Sequence, residues 1–204
     1  RKTILDLHGW GSDEGNAYGE NITRNVTVAL LMSWKYDELS YLIHPDARRR
    51  GAAPYYALNM KEENARETYE ALFCYLGDKL GQMKYRVNNW TLGNEVNSCN
   101  AWNYSGGMPL ENCVENYAQA FQLLNQGVKR TAVSPRLFIS LDHCWNTADA
   151  GHNGKAFLDQ FAAYMNRTTP EMEWNVNYHP YSQPLNNSAF WNDYSNTTDQ
   201  EDTR

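Results

Sequence analysis

The sequence predicts an α/β fold built on a parallel sheet, of the (β/α)8 TIM-type barrel, and three observations carry that prediction. Five apolar or alternating segments rich in β-branched and aromatic residues read as strands, at 3–8, 26–34, 87–94, 137–143 and 173–178. The last four are separated by helical patterns in their later part, and such alternation builds a parallel sheet through right-handed crossovers. No Gly-rich turn of the dinucleotide type follows any strand, which disfavours a doubly wound nucleotide-binding sheet and leaves the barrel preferred.

The first strand candidate, 3–8, is followed by residues 9–25, which are rich in Gly and Asn and carry no helical stripe. Either this stretch is a long loop at the carboxyl ends of the strands, or 3–8 is not a barrel strand. Residues 61–80 place Ala65, Tyr69, Leu72, Phe73, Leu76 and Leu80 on one helical stripe, with Asn59 and Glu62 spaced as a capping-box variant. Residues 110–130 follow Pro109 and stripe Val114, Tyr117, Ala118, Phe121, Leu124 and Val128. A third helix over 155–166 stripes Phe157, Leu158, Phe161 and Tyr164. The tail, 182–204, is polar and ends without a closing strand. A complete eight-stranded barrel needs about 250 residues, so the 204 residues read as a single domain over 1–204, incomplete at both ends.

Composition narrows the function classes. A net charge of −6 argues against a nucleic-acid partner, because phosphate binding draws on clustered Lys and Arg, and the only basic run, Arg48 to Arg50, reads as a solvated loop. No apolar stretch approaches the roughly 18 residues needed to cross a bilayer, and no secretory apolar region follows Arg1. Asn occurs 23 times, and Trp and Tyr supply 7 and 14 residues. Aromatic faces stack on sugar rings and amides bond hydroxyls, so the expected partner is a carbohydrate and the expected setting extracellular or cell-surface. Asn-x-Ser/Thr triplets, among them those at Asn89, Asn103 and Asn166, add weak support for secretion. The four cysteines show no Cys-x-x-Cys spacing, which disfavours zinc and thioredoxin-like readings. Cys99 and Cys113 bracket a loop rich in Gly, Asn and aromatics. A disulfide and two separate thiols both remain open there.

The densest chemical signal is the run Asn-Asn-Trp-Thr-Leu-Gly-Asn-Glu-Val-Asn at 88–97. An apolar run ends at Gly93 and delivers Asn94 and Glu95 to the strand's carboxyl end, where barrel chemistry sits, so Glu95 reads as an acid or base. Strand alternation puts Thr91, Gly93 and Glu95 on one face and Trp90 and Leu92 on the other. It likewise divides Asn175, Asn177 and His179 from Trp174, Val176 and Tyr178. A polar face opposite the helix-packed one lines either a polar cavity or a hydrogen-bonded cluster.

The residues Leu92-Gly93-Asn94-Glu95-Val96-Asn97, with Tyr178-His179-Pro180-Tyr181 and Gln183-Pro184 downstream, resemble the clan of retaining glycoside hydrolases whose barrel strand 4 ends in Asn-Glu. The likeness is closest to cellulase-like bacterial members. It covers residue 26 to about 185, as strands 3 to 6 with their helices. It implies a glycosidase in which Glu95 is the general acid/base and Asn94 bonds the sugar 2-hydroxyl, with His179 and Tyr181 lining the site. No cofactor is implied, since two carboxylates suffice for retaining hydrolysis. The clan's nucleophile is a Glu ending strand 7, and no residue of this chain matches it. Glu201 has no strand before it, Glu171 and Glu173 begin a strand, and Asp142 ends the wrong strand.

Among aromatics beyond strand ends, Trp10, Trp34, Trp102 and Trp145, the best candidate sugar platforms are Trp34 and Trp145. Two other classes stay open. Asp6, His8, Asp142, His143 and His179 would suit a metal-dependent barrel hydrolase of amides or esters. A carbohydrate-binding barrel without activity would use the same aromatics and amides and lack only the second carboxylate.

Overall fold

The computed structural model describes residues 26–81, 87–148 and 151–179. Four strands, β1 (Val26–Leu30), β2 (Val87–Leu92), β3 (Arg136–Leu141) and β4 (Asn175–Tyr178), form one sheet in the order β1-β2-β3-β4, with every neighbouring pair parallel. Helices α1 (Glu63–Gly81), α2 (Leu110–Lys129) and α3 (Gly154–Thr168) make the three crossovers. The parallel α/β expectation therefore holds over these residues. The strand candidate at 3–8 and the tail from 182 lie outside the described residues.

Register fixes which side chains share a face. Leu30 pairs with Leu92, Leu92 with Ile139 and Ile139 with Val176, and this row points towards the helices. Trp90, Leu92, Leu137, Ile139 and Leu141 are almost wholly buried there, in one core with Phe73 of α1, Phe121 and Leu124 of α2, and Phe157 and Phe161 of α3. Phe161 stands edge-on to Phe121 and to Trp174, at centroid separations of 5.4 and 5.1 Å. Aromatic rings in such arrangements prefer T-shaped contacts. Buried phenols need partners: Tyr69 donates to the Leu42 carbonyl at 2.7 Å and Tyr117 to the Leu92 carbonyl at 2.8 Å. Burial pushes both phenols well above their ordinary range.

The helix stripes match their predicted residues with one correction. Leu72 is 39% exposed, because it lies at the margin of the α1 stripe, beside a groove shared with Leu30, Leu39 and Leu76 rather than under the sheet. Ahead of α1, the Asn59 carbonyl oxygen Oδ1 accepts from the N–H groups of Lys61 and Glu62, and its amide donates to the Glu62 carboxyl at 2.6 Å. The N-terminus of α3 is capped by Asn153, which accepts from the Ala156 N–H at 2.8 Å.

Strand boundaries differ at β1. The alternating pattern of 31–34 does not stay in the sheet; the Met32 carbonyl instead accepts from the Tyr56 N–H, and two short 3-10 turns follow at Asp37–Leu42 and Pro45–Ala47. The basic run lies in this connection, but Arg48 is not merely solvated. Its guanidinium donates to the carbonyls of Ile43 and Tyr41 and to the Glu62 carboxyl, clamping the turns to the start of α1. Two of the Asn-x-Ser/Thr triplets are closed to glycosylation by burial. Asn89 bridges Thr27 and Arg136 across the sheet, and Asn103 donates to the Val96 carbonyl. Among the described residues no helix is long and apolar enough to cross a membrane.

Candidate functional site

The face of the sheet turned away from the helices is mostly polar, with Ala29 and Phe138 its apolar members. Thr27, Asn89 and Arg136 are joined by side-chain hydrogen bonds across three strands, and Thr91, Ser140, Asn175 and Asn177 share that face by alternation. At its carboxyl edge two sequence-predicted residues meet. Glu95, beyond β2, and His179, beyond β4, are 84 positions apart, yet His179 Nδ1 lies 2.8 Å from Glu95 Oε1.

The backbone explains how Glu95 reaches this position. Gly93 has φ +75° and Glu95 itself φ +47°, so two left-handed residues within three positions turn the chain sharply as it leaves β2. A non-glycine residue in that conformation is held by its surroundings. Here the Glu95 N–H donates to Ser140 Oγ at 3.1 Å, the Val96 N–H to the Ser140 carbonyl at 2.8 Å, and the Ser98 N–H back to the Glu95 carbonyl at 2.7 Å. The turn is thus pinned to β3, and Glu95 is only 5% exposed.

Ser140 also lies 3.3 Å from His179 Nε2. One proton arrangement satisfies the whole circuit: the Glu95 N–H donates to Ser140 Oγ, the Ser140 hydroxyl donates to Nε2, and Nδ1–H donates to the Glu95 carboxylate. The imidazole then holds the carboxyl from one side and leaves its second oxygen for another partner.

A second pair backs the turn. Asn97 Nδ2 donates to Asp142 Oδ1 at 2.6 Å, and the Asp142 N–H donates to Asn97 Oδ1 at 3.0 Å. Asp142 Oδ1 also accepts from the Cys144 N–H, and Asn97 bonds the backbone of His152 at both ends. Asp142 is therefore committed to holding loops together.

The remaining predicted residues fare differently. Asn94 is half-buried in the turn between Gly93 and Glu95. Tyr181 lies outside the described residues. Trp34 donates from Nε1 to Asp37 at 2.7 Å and packs edge-on to Tyr56, beside a small separate cluster of Ile43, Ala47 and Tyr56. Trp145 stands edge-on to Tyr178 at 5.6 Å and packs against the main core. Each indole thus has a packing role. Glu171 and Glu173 are exposed ahead of β4, at the amino-terminal side of the sheet. Of the alternative metal set, Asp6 and His8 lie outside the described residues. The grouping of potential ligands among the described residues is Cys99, Cys113 and His152, not Asp142, His143 and His179.

Sequence reasoning passed over Ser140 and Asn97, and weighed Asp142 only as a nucleophile or a metal ligand. Alternation along β3 signals two of them, since Ser140 and Asp142 interrupt an otherwise apolar strand on its polar face.

Fold and site together define a parallel α/β structure with a buried carboxyl and a partly buried imidazole paired at the carboxyl edge of its sheet. Over residues 17–204 the chain belongs to DUF5722, a family of unknown function. No curated protein and no solved structure matches it significantly.

Proposed function

We propose that this chain is the central part of a barrel-type glycoside hydrolase domain, with Glu95 as general acid/base of a retaining mechanism. The observation that carries the reading is the Glu95–His179 contact at the carboxyl edge of a parallel sheet, the edge where α/β barrels place their catalytic groups. Sequential strand order with the helices packed on one side supports a barrel over a doubly wound sheet. The polar opposite face supports a hydroxyl-rich ligand.

In this reading the Glu95 carboxyl protonates the departing glycosidic oxygen and then, as carboxylate, takes a proton from the attacking water. His179 and Ser140 hold the carboxyl, Asn94 meets the sugar 2-hydroxyl, and Tyr181 lines the same site. Retention requires a second carboxylate about 5–5.5 Å from the first, and none of the described residues is assigned that role. The substrate class is a poly- or oligosaccharide outside the cell or at its surface, and no cofactor takes part.

The test uses the complete natural protein on a panel of polysaccharides and aryl glycosides, wild type beside Glu95→Gln. The expected result is hydrolysis with retained anomeric configuration, lowered about 10²–10⁴-fold in the variant. Sugar binding without turnover in the wild type would make the domain a carbohydrate-binding module. Undiminished turnover in the variant would remove Glu95 from the mechanism.

A further inference from the structure

Beyond the turn that carries Glu95, the chain makes an excursion from Cys99 to Cys113 and re-enters at the first turn of α2. Both cysteines are reduced and buried, with their sulfur atoms 3.8 Å apart. Each is held from its own side. The Cys99 N–H donates to the Asn97 carbonyl and the Cys99 carbonyl accepts from the Ser105 N–H, while the Cys113 N–H donates to the Pro109 carbonyl as α2 begins. The Cys113 sulfur also lies 3.4 Å from Ser105 Oγ and from the Met108 carbonyl. The two sulfurs face each other across the base of the loop. The remaining cysteines are elsewhere, Cys74 beside Arg130 and Cys144 beside His143.

We propose that Cys99 and Cys113 are a disulfide-forming pair, and that their oxidation ties the turn bearing Glu95 to the first turn of α2. A disulfide needs a sulfur–sulfur distance of about 2.05 Å, and at 3.8 Å the two sulfurs already lie next to each other. The oxidant is an external disulfide, RS–SR. The thiolate of one cysteine attacks one of its sulfurs, forming a mixed disulfide with SR and expelling RS⁻. The other cysteine then attacks the protein sulfur of that mixed disulfide, the Cys99–Cys113 bond forms, and the second RS⁻ leaves. The two protein thiol protons end on the two RS⁻ groups, so two thiols and one disulfide become one disulfide and two thiols. The Cys99 S–H donates to the Cys113 sulfur, which holds Cys113 below the usual thiol range and Cys99 above it. Both sulfurs are covered in the folded chain, so the exchange takes place before the loop closes over them.

His152 is the third group near this pair, and with the two sulfurs it forms a set that a soft metal ion would accept. Two observations favour the disulfide. Structural zinc sites use four protein ligands, whereas three converge here among the described residues, and His152 Nε2 lies within hydrogen-bond distance of the Met108 carbonyl at 3.2 Å.

The test is to fold the full chain in buffers spanning reduced to oxidised glutathione, quench with acid, alkylate in denaturant and map the peptides. Before alkylation the expected product has a mass lower by about 2 Da, two thiol hydrogens, and after it the peptides holding Cys99 and Cys113 are joined while Cys74 and Cys144 are alkylated. Its denaturation midpoint lies above that of the reduced form. The proposal is overturned if Cys99 and Cys113 alkylate at every glutathione ratio. It is equally overturned if they are protected only by a stoichiometric metal ion that a chelator removes. The wild-type peptide map decides the matter even where Cys99→Ser or Cys113→Ser fails to fold.

Discussion

Asn97 and Asp142 are bonded to each other twice, amide to carboxyl at 2.6 Å and backbone N–H to amide oxygen at 3.0 Å. The pair joins the turn after β2 to the residue that follows β3. Because both residues are almost fully buried, removing one takes from the other a hydrogen bond that water cannot replace, although Asp142 keeps the Cys144 N–H and Asn97 keeps the His152 carbonyl. Asn97→Ala is expected to cost about 2–3 kcal/mol, and Asp142→Ala a similar amount. The double variant should cost clearly less than the sum, with about 1 kcal/mol or more of coupling. Urea unfolding of the four proteins measures this, and strict additivity would deny the pair its role.

His179 touches Glu95 and Ser140 together, so within the glycosidase reading it acts by holding the carboxyl in place. For His179→Ala, kcat is expected to fall about 10²-fold with KM little changed, the effect of misplacing a reacting group by roughly 1 Å. Steady-state kinetics separates the two constants. A variant that raises KM alone would make His179 a substrate-binding residue instead.

His44 supplies a pH dependence of stability. It is buried, its Nδ1 accepts from the Asp46 N–H, and desolvation by burial, followed by the charge of Lys61, holds its pKa below the ordinary 6.5. The unfolded chain therefore binds a proton that the folded chain refuses. Stability is full above about pH 6.5 and declines as pH falls from there towards the lowered folded value. Denaturant midpoints between pH 8 and pH 5 should show this decline. In His44→Asn, which keeps a side-chain acceptor but does not titrate there, the slope should be smaller.

Gly106 and Gly107 form a matched pair for testing the loop. Both have positive φ, +70° and +83°. A Cβ on Gly106 would meet the Asp46 carbonyl oxygen, a backbone atom, at 1.8 Å, whereas one on Gly107 would meet nothing within 4 Å. Gly107→Ala is expected to cost about 1–2 kcal/mol from the left-handed conformation alone. Gly106→Ala should cost clearly more, because the loop must separate from the 3-10 turn it rests on. Thermal or urea unfolding of the two variants measures the gap, and equal losses would mean that the close approach does not matter.

Much of the fold was legible because it rests on periodicity. The stripes Tyr69-Phe73-Leu76-Leu80 and Val114-Tyr117-Phe121-Leu124 recur at helical spacing, and the helices bury them. The period-2 division of β2, with Trp90 and Leu92 inward and Asn89 and Thr91 on the polar side, needed only the order of residues. The early connection was less legible. Residues 31–34 alternate like a strand, yet the Met32 carbonyl pairs with Tyr56, a choice made by a segment more than twenty residues away. Arg48 looked like part of a solvated run for the same reason, since its carbonyl and carboxyl partners gather only when the 3-10 turns fold.

The sequence alone determined that a carboxylate would follow an apolar strand at Asn94-Glu95 and that His179 would end another strand on its polar face. Local pattern is enough for that, because side-chain direction follows from strand period. Only the tertiary structure decided that the two meet, through the parallel register of β2, β3 and β4 and the left-handed turn at Gly93 and Glu95. It likewise assigned Trp34 and Trp145 to packing contacts and put the Cys99 and Cys113 sulfurs face to face. Contacts of this kind depend on where chain segments cross in space, and no local periodicity records that.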